Sequence, residues 1–252
     1  MVDLHLSQDP EADRLLGESP LALLMGMVLD QQVPLERAFS APADLKARLG
    51  GTLDAAAIAA MDPEQLVDAF RTRPALHRFP GSMARRVQEL CRVVRDEYGG
   101  DAAAVWRGVT DGAELLARVR ALPGFGDQKA RIFVALLGKQ LGVRPPGWEA
   151  ASSPYGEPGS FRSVADIDSP ETLDRVRRFK KEAKAAVATA QVDAAGRSAA
   201  AAGRGRHGRT RAPVTGKAAG HAKAAANAGA KAKATARGPS SAKRKASVVG
   251  RG

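Results

Sequence analysis

The sequence predicts an all-α body followed by a disordered basic tail, and three observations predict it. Nearly every segment up to about residue 188 carries apolar residues at helical spacing, often with a capping residue in front. No stretch sustains the period-two alternation of a half-buried strand. From residue 191 onward, 14 Lys and Arg stand against one acid, Asp193, and no aromatic residue follows Phe179. The net charge of +12 therefore belongs to the tail, while residues 1–190 sum to −1. These features place a folded domain at 1–188 and a tail at 189–252.

The first strong helix is "PLALLMGMVLDQQ", with Ser19 as N-cap, Pro20 at the first helical position and Pro34 beyond its end. Apolar residues surround it almost completely, which predicts a central, buried helix. "MDPEQLVDAFRT" follows, with Asp62 as cap, Pro63 opening the turn and Gln65 spaced for a capping box. "SMARRVQELCRVVRDEYGG" sets Met83, Val87, Leu90 and Val94 on one stripe and stops at Gly99. "TDGAELLARVRAL" and "DQKARIFVALLGKQLG" are two more helices, joined by a short Gly-rich turn as a helical hairpin. Residues 143–168 read as a Pro/Gly/Ser-rich loop, long enough to imply a functional or mobile segment. The last helix, "SPETLDRVRRFKKEAKAAVATA", opens with Ser169 and Pro170 and fades into the tail.

An Ala/Gly/Lys/Arg tail cannot bury enough apolar surface to offset ordering entropy, which predicts disorder and attraction to polyanions, nucleic acid above all. The lone Cys91 excludes an internal disulfide framework and any all-cysteine zinc or iron–sulfur site, and no His/Cys/Asp spacing suggests a metal. "LALLMGMVL", the longest apolar run, is too short to span a bilayer, and the N-terminus lacks a signal-peptide pattern. The expectation is a cytoplasmic, nucleoid-associated protein without a membrane role.

The turn "LPGFGDQKA" holds the most chemistry. Pro123 fixes its backbone, while Gly124 and Gly126 admit positive φ and leave no Cβ in the way of an approaching backbone. The helix starting near Asp127 aims unpaired amides and the positive end of its dipole outward. That arrangement suits a phosphate, with Lys129 or Arg131 adding charge; a Gly-x-Gly turn kept for packing alone is the plainer reading.

The order of these features over residues 79–138 resembles the helix-hairpin-helix (HhH-GPD) base-excision DNA glycosylases. The shared features are an Arg-rich helix, "EYGG", a spacer, "LPGFGDQKA" and an apolar helix. "LLMGMVLDQQV" extends the likeness to roughly residues 19–150, nearest to a small bacterial branch whose function is undefined. The resemblance implies a two-lobed all-α fold that binds double-stranded DNA and flips a damaged nucleotide. Residues Leu122, Pro123, Gly124, Phe125, Gly126, Gln128 and Lys129 would grip the backbone, and Gln31, with Gln32 beside it, would fill the vacated stack. With one cysteine in the chain no iron–sulfur cluster is expected; the one ion the resemblance allows is a monovalent cation on the hairpin carbonyls.

Two departures bear on chemistry. Bifunctional members carry a lysine where this chain has Gln128, and Lys129, one position on, is rotated by about 100° on a helix. Lyase chemistry is therefore not expected. The family's catalytic aspartate after the hairpin is also missing, and "GVRPPGWEAA" stands in its place. Glu149 is the nearby carboxylate: a catalytic acid if Trp148 and the prolines shelter it, or an exposed loop acid if they do not. Asp166 and Asp168 read first as helix-entry turn residues. Trp148 and Tyr155 are candidate walls of a base pocket or anchors of the loop, and His77 is a candidate phosphate contact or a structural histidine. Two functions follow, a monofunctional glycosylase with Glu149 as catalyst, or a non-catalytic hairpin protein that reads distorted DNA or organises the nucleoid.

Overall fold

Helix starts are fixed by short polar side chains that accept otherwise orphaned first-turn amides. In the computed structural model, which describes residues 4–186, Asp9 opens α1 (Pro10–Glu18) and Ser19 opens α2 (Pro20–Leu29) in this way. Asp54 opens α4 (Ala55–Ala60), Asp62 opens α5 (Pro63–Arg71), and Asp111 opens α7 (Gly112–Ala121). The other helices are α3 (Leu35–Arg48), α6 (Pro80–Tyr98), α8 (Asp127–Gln140), the short α9 (Trp148–Ala151) and α10, which runs from 170 to 186. Two 3-10 turns, Ala102–Val105 and Val164–Asp166, complete the order, and no strand occurs among the described residues. The all-α class is thus the observed one. The expected tail and its boundary at 188/189 lie outside the described residues.

Helix α2 is the hub, with every residue from Leu21 to Leu29 buried. It packs against α1 and α3 on one side and against α6 on another, while α6 also carries α4 and α5. It is shorter than expected. Asp30 leaves helical geometry with ψ 70, and Gln32 sits at φ 57, so the chain turns before Pro34.

Helix α3 went unread in the sequence because Pro42 lies inside it. Proline removes one backbone donor and the helix survives through packing, with Ala38, Phe39, Ala41, Pro42 and Leu45 all buried. Its arginines reach across to carbonyls that no amide serves: Arg48 donates to the carbonyls of Ala69 (2.5 Å), Thr72 (3.0 Å) and Pro74 (2.7 Å). Cys91 is a core residue as expected, and burial pushes its thiol up to about 12, with a smaller contribution from Asp54.

Candidate nucleic-acid interface

The α7–α8 turn has an anchored side and an open side. Leu122 and Phe125 are buried, the Phe125 amide donates to the Leu122 carbonyl at 3.1 Å, and the Phe125 ring meets Phe133 edge-on at 5.6 Å. Gly124 has φ +87, and a Cβ there would come within 3.0 Å of Arg86 Cδ and 3.3 Å of the Val28 methyls, so both backbone and space demand glycine. Gly126 is extended, gives α8 no side-chain cap, and faces open space where its Cβ would be. The amides that start α8 are therefore left for solvent or a ligand, and Gly126, Asp127 and Gln128 are all exposed. The Asp127 carboxylate stands in that mouth but is held by Arg131 (3.0 Å) and Arg120, which keep its pKa below the usual range. One acid between two guanidiniums leaves the mouth with a net positive charge. The carbonyls of Leu122 and Gly126 already accept the amides of Phe125 and Ala130, so a monovalent cation would depend on the turn's other carbonyls.

Lys129 points away from this mouth. Its ammonium donates to the carbonyls of Met27 (2.6 Å) and Val28 (3.2 Å), tying α8 to the end of α2. Burial lowers its pKa to about 8, opposed by the Asp30 charge and assisted by Arg86. Where a phosphate contact was expected of Lys129, its ammonium instead serves two carbonyls at the end of α2.

Gln31 is also engaged inward. Its amide nitrogen donates to the Val28 carbonyl (2.6 Å), its amide oxygen accepts from Arg86 (3.0 Å), and its own carbonyl meets His77 Nε2 at 2.8 Å. Filling the stack with Gln31 would require breaking the two side-chain bonds. Gln32, exposed at φ 57, is the glutamine that reaches solvent. His77 is buried; the Phe79 amide donates to its Nδ1 at 3.0 Å, which leaves Nε2 as the donor to Gln31. Desolvation lowers its pKa, and with both ring nitrogens engaged by backbone groups no ring atom is left for a phosphate.

The same connection displays a residue that the sequence reading passed over. Phe79 is 43% exposed at the start of α6, and the Arg78 guanidinium lies 5.5 Å from its ring centre. "RFPG" carries no periodic signal, and the only cue was an aromatic residue between a cation and a proline.

The 142–169 segment is a strap along α8. Arg131 donates to the carbonyls of Ala151 (3.2 Å) and Ser153 (3.4 Å), and Gln128 donates to the Tyr155 hydroxyl at 2.9 Å. Trp148 closes the far end, where a Cβ on Gly138 would come within 2.3 Å of its ring. Gly138 lies about 15 Å along the helix from Gln128, at 1.5 Å per residue. The Tyr155 hydroxyl and the Trp148 ring therefore touch α8 near its opposite ends, and Tyr155 is not among the residues that line the cavity beside Trp148. Glu149, beside Trp148 on α9, is exposed and lies against the end of the hairpin opposite its turn. Of the two readings of Glu149 the geometry favours the exposed loop acid, since the Trp148 ring packs on Gly138 of α8. A cavity of about 760 Å³ opens there, lined by Lys139, Gln140, Trp148, Glu149 and Phe161 among others. Asp166 is buried against Lys139 (2.5 Å) and accepts the amides of Arg162 and Ser163, while Asp168 accepts from the Thr172 hydroxyl at 2.9 Å. Both are turn residues, as read from the sequence.

Among the described residues, no group of three or more His, Cys, Asp or Glu is arranged to hold a metal ion, and no helix is long and apolar enough to cross a membrane. A family model described as "HhH-GPD superfamily base excision DNA repair protein" matches residues 25–212. No curated protein and no solved structure matches the chain.

Proposed function

The chain belongs to the HhH-GPD superfamily of base excision DNA repair proteins, and on that footing we propose that it is a monofunctional DNA glycosylase. It would grip one phosphate of double-stranded DNA at the α7–α8 turn, flip a damaged or mispaired nucleotide, and hydrolyse its N-glycosidic bond. The observation that carries this reading is the open mouth of the turn, uncapped amides flanked by Arg120 and Arg131. Flipping leaves a gap in the base stack, and Gln32 and Phe79 are the exposed side chains next to the Gln31 connection that would fill it.

Strand cleavage is not part of the reaction. The Gln128 amide cannot form a Schiff base, and the Lys129 ammonium is spent on two carbonyls of α2. Duplexes carrying uracil, hypoxanthine, alkylated or oxidised bases should yield broken strands only after alkali, and borohydride should trap no covalent adduct. Breakage without alkali, or a trapped adduct, would contradict the monofunctional reading.

A second reading has its own support: Gln128 is paired with Tyr155 where the family's lyases keep a nucleophile, and Glu149 lies toward the end of α8 away from the turn, which suits a non-catalytic reader of distorted DNA. Tight binding of damaged duplexes with no product from any of them would favour it. In either case the basic residues from 191 onward supply sequence-independent attraction to DNA. Deleting 191–252 should then flatten the dependence of affinity on salt, and an unchanged slope would remove the tail from binding.

A further inference from the structure

Hydrolysing a glycosidic bond needs a carboxylate near the sugar, and Glu149 is at the wrong end of α8. The other end has one. Asp30 is the last residue in contact with α2's ladder, its amide donating to the Gly26 carbonyl at 3.0 Å, after which the chain turns away. Among the described residues no hydrogen bond or ion pair engages its half-buried carboxylate. Two residues before Asp30, the Val28 carbonyl accepts from Lys129, which lies three residues beyond the second hairpin glycine, so Asp30 follows directly on the point where α8 is tied to α2.

Asp30 also lines a cavity of about 400 Å³ between the 30–36 segment and α10. That volume lies within the roughly 300–1,000 Å³ of small-molecule sites. Its apolar walls are Val33, Leu35, Leu173 and Val176, surfaces suited to the faces of a planar ring. The other acid there, Glu36, is bound to Arg177, so Asp30 is the acid left to act.

We propose that this cavity receives the flipped nucleobase and that Asp30 is the catalytic carboxylate, an inference that rests on the glycosylase reading above. Water adds across the bond: its oxygen joins C1′, the C1′–N electron pair leaves with the base, and Asp30 takes a water proton that ends on the departing nitrogen. While the bond breaks, the sugar is cationic, and an unpaired carboxylate in a half-desolvated site stabilises it more than one in open water.

A duplex carrying a protonated pyrrolidine abasic analogue mimics that cation, and one carrying neutral tetrahydrofuran has the same shape without the charge. The full-length protein should prefer the cationic duplex by roughly tenfold or more, as expected for a charge-assisted contact. Asp30→Asn should abolish the preference while leaving tetrahydrofuran binding unchanged, and Glu149→Gln should keep it. A preference that survives Asp30→Asn, or is lost in Glu149→Gln, overturns the assignment, as does equal binding of both analogues by the unaltered protein. If neither analogue is bound better than undamaged DNA, the glycosylase reading itself fails. Val33→Phe tests the cavity independently of Asp30, by filling it from the rim. It should suppress the fluorescence rise of a flipped 2-aminopurine without weakening tetrahydrofuran binding, and an undiminished rise places the base elsewhere.

Discussion

The two ends of α8 use the same residue for opposite purposes. At the N-terminal end, the absent side chain of Gly126 leaves first-turn amides open to a ligand. Near the C-terminal end, the absent side chain of Gly138 admits the Trp148 ring and lets the strap seal the helix. One glycine keeps a surface available, and the other closes it. The lesson is that a glycine's role is set by what approaches it, which a single sequence does not state.

The largest expected effect is at the closed end. Gly138→Val places branched carbons inside the Trp148 ring, so it should destabilise the fold by about 3 kcal/mol, read as a lower urea midpoint. An unaltered midpoint would mean that the strap does not seat on α8. Gly124→Ala should cost about 1–2 kcal/mol from its left-handed backbone, measured the same way. It should also weaken binding of a tetrahydrofuran duplex, since the turn must shift to relieve the contact with Arg86.

These contrasts mark what the sequence made legible. The starts of α2 and α5 were readable because Ser19 and Asp62 act on amides two or three residues away. The hairpin was readable for the same reason, since glycine conformation and helix amides are local. Lys129, Gln31 and Glu149 were not. The first two are committed to partners on α2 and α6, and the third is carried off by the strap, all through contacts made only on folding. α1, α3 and α4 went unassigned, α3 because packing overrides its internal Pro42. The loop of 143–168 hid α9, whose single turn is too short for a periodic signal.

A smaller effect tests the connection behind the open end. His77 is held neutral by burial, so its folded pKa lies below the ordinary 6.5. As pH falls below 6.5 the unfolded chain takes up a proton that the folded one resists, and stability declines until the folded value is passed. The slope from this group is at most about 1.4 kcal/mol per pH unit. His77→Gln should remove that component from the pH dependence of the urea midpoint, and an identical pH profile would show that His77 takes up its proton equally in the folded and unfolded chain.

The smallest effect separates stability from binding. Gly126→Ser supplies the missing cap and should raise stability by a few tenths of a kcal/mol. The same hydroxyl occupies the amides, so affinity for a tetrahydrofuran duplex should fall. A variant that gains stability and loses no affinity would mean that the amides do not hold DNA.

The most direct measurement is an amide-resolved NMR titration of the protein with a tetrahydrofuran-containing duplex. The largest shifts should fall on the backbone amides of residues 126–129, with those of the strap from 148 to 161 nearly unmoved. Shifts concentrated on the strap, with 126–129 unchanged, would contradict the assignment of the hairpin mouth as the phosphate grip.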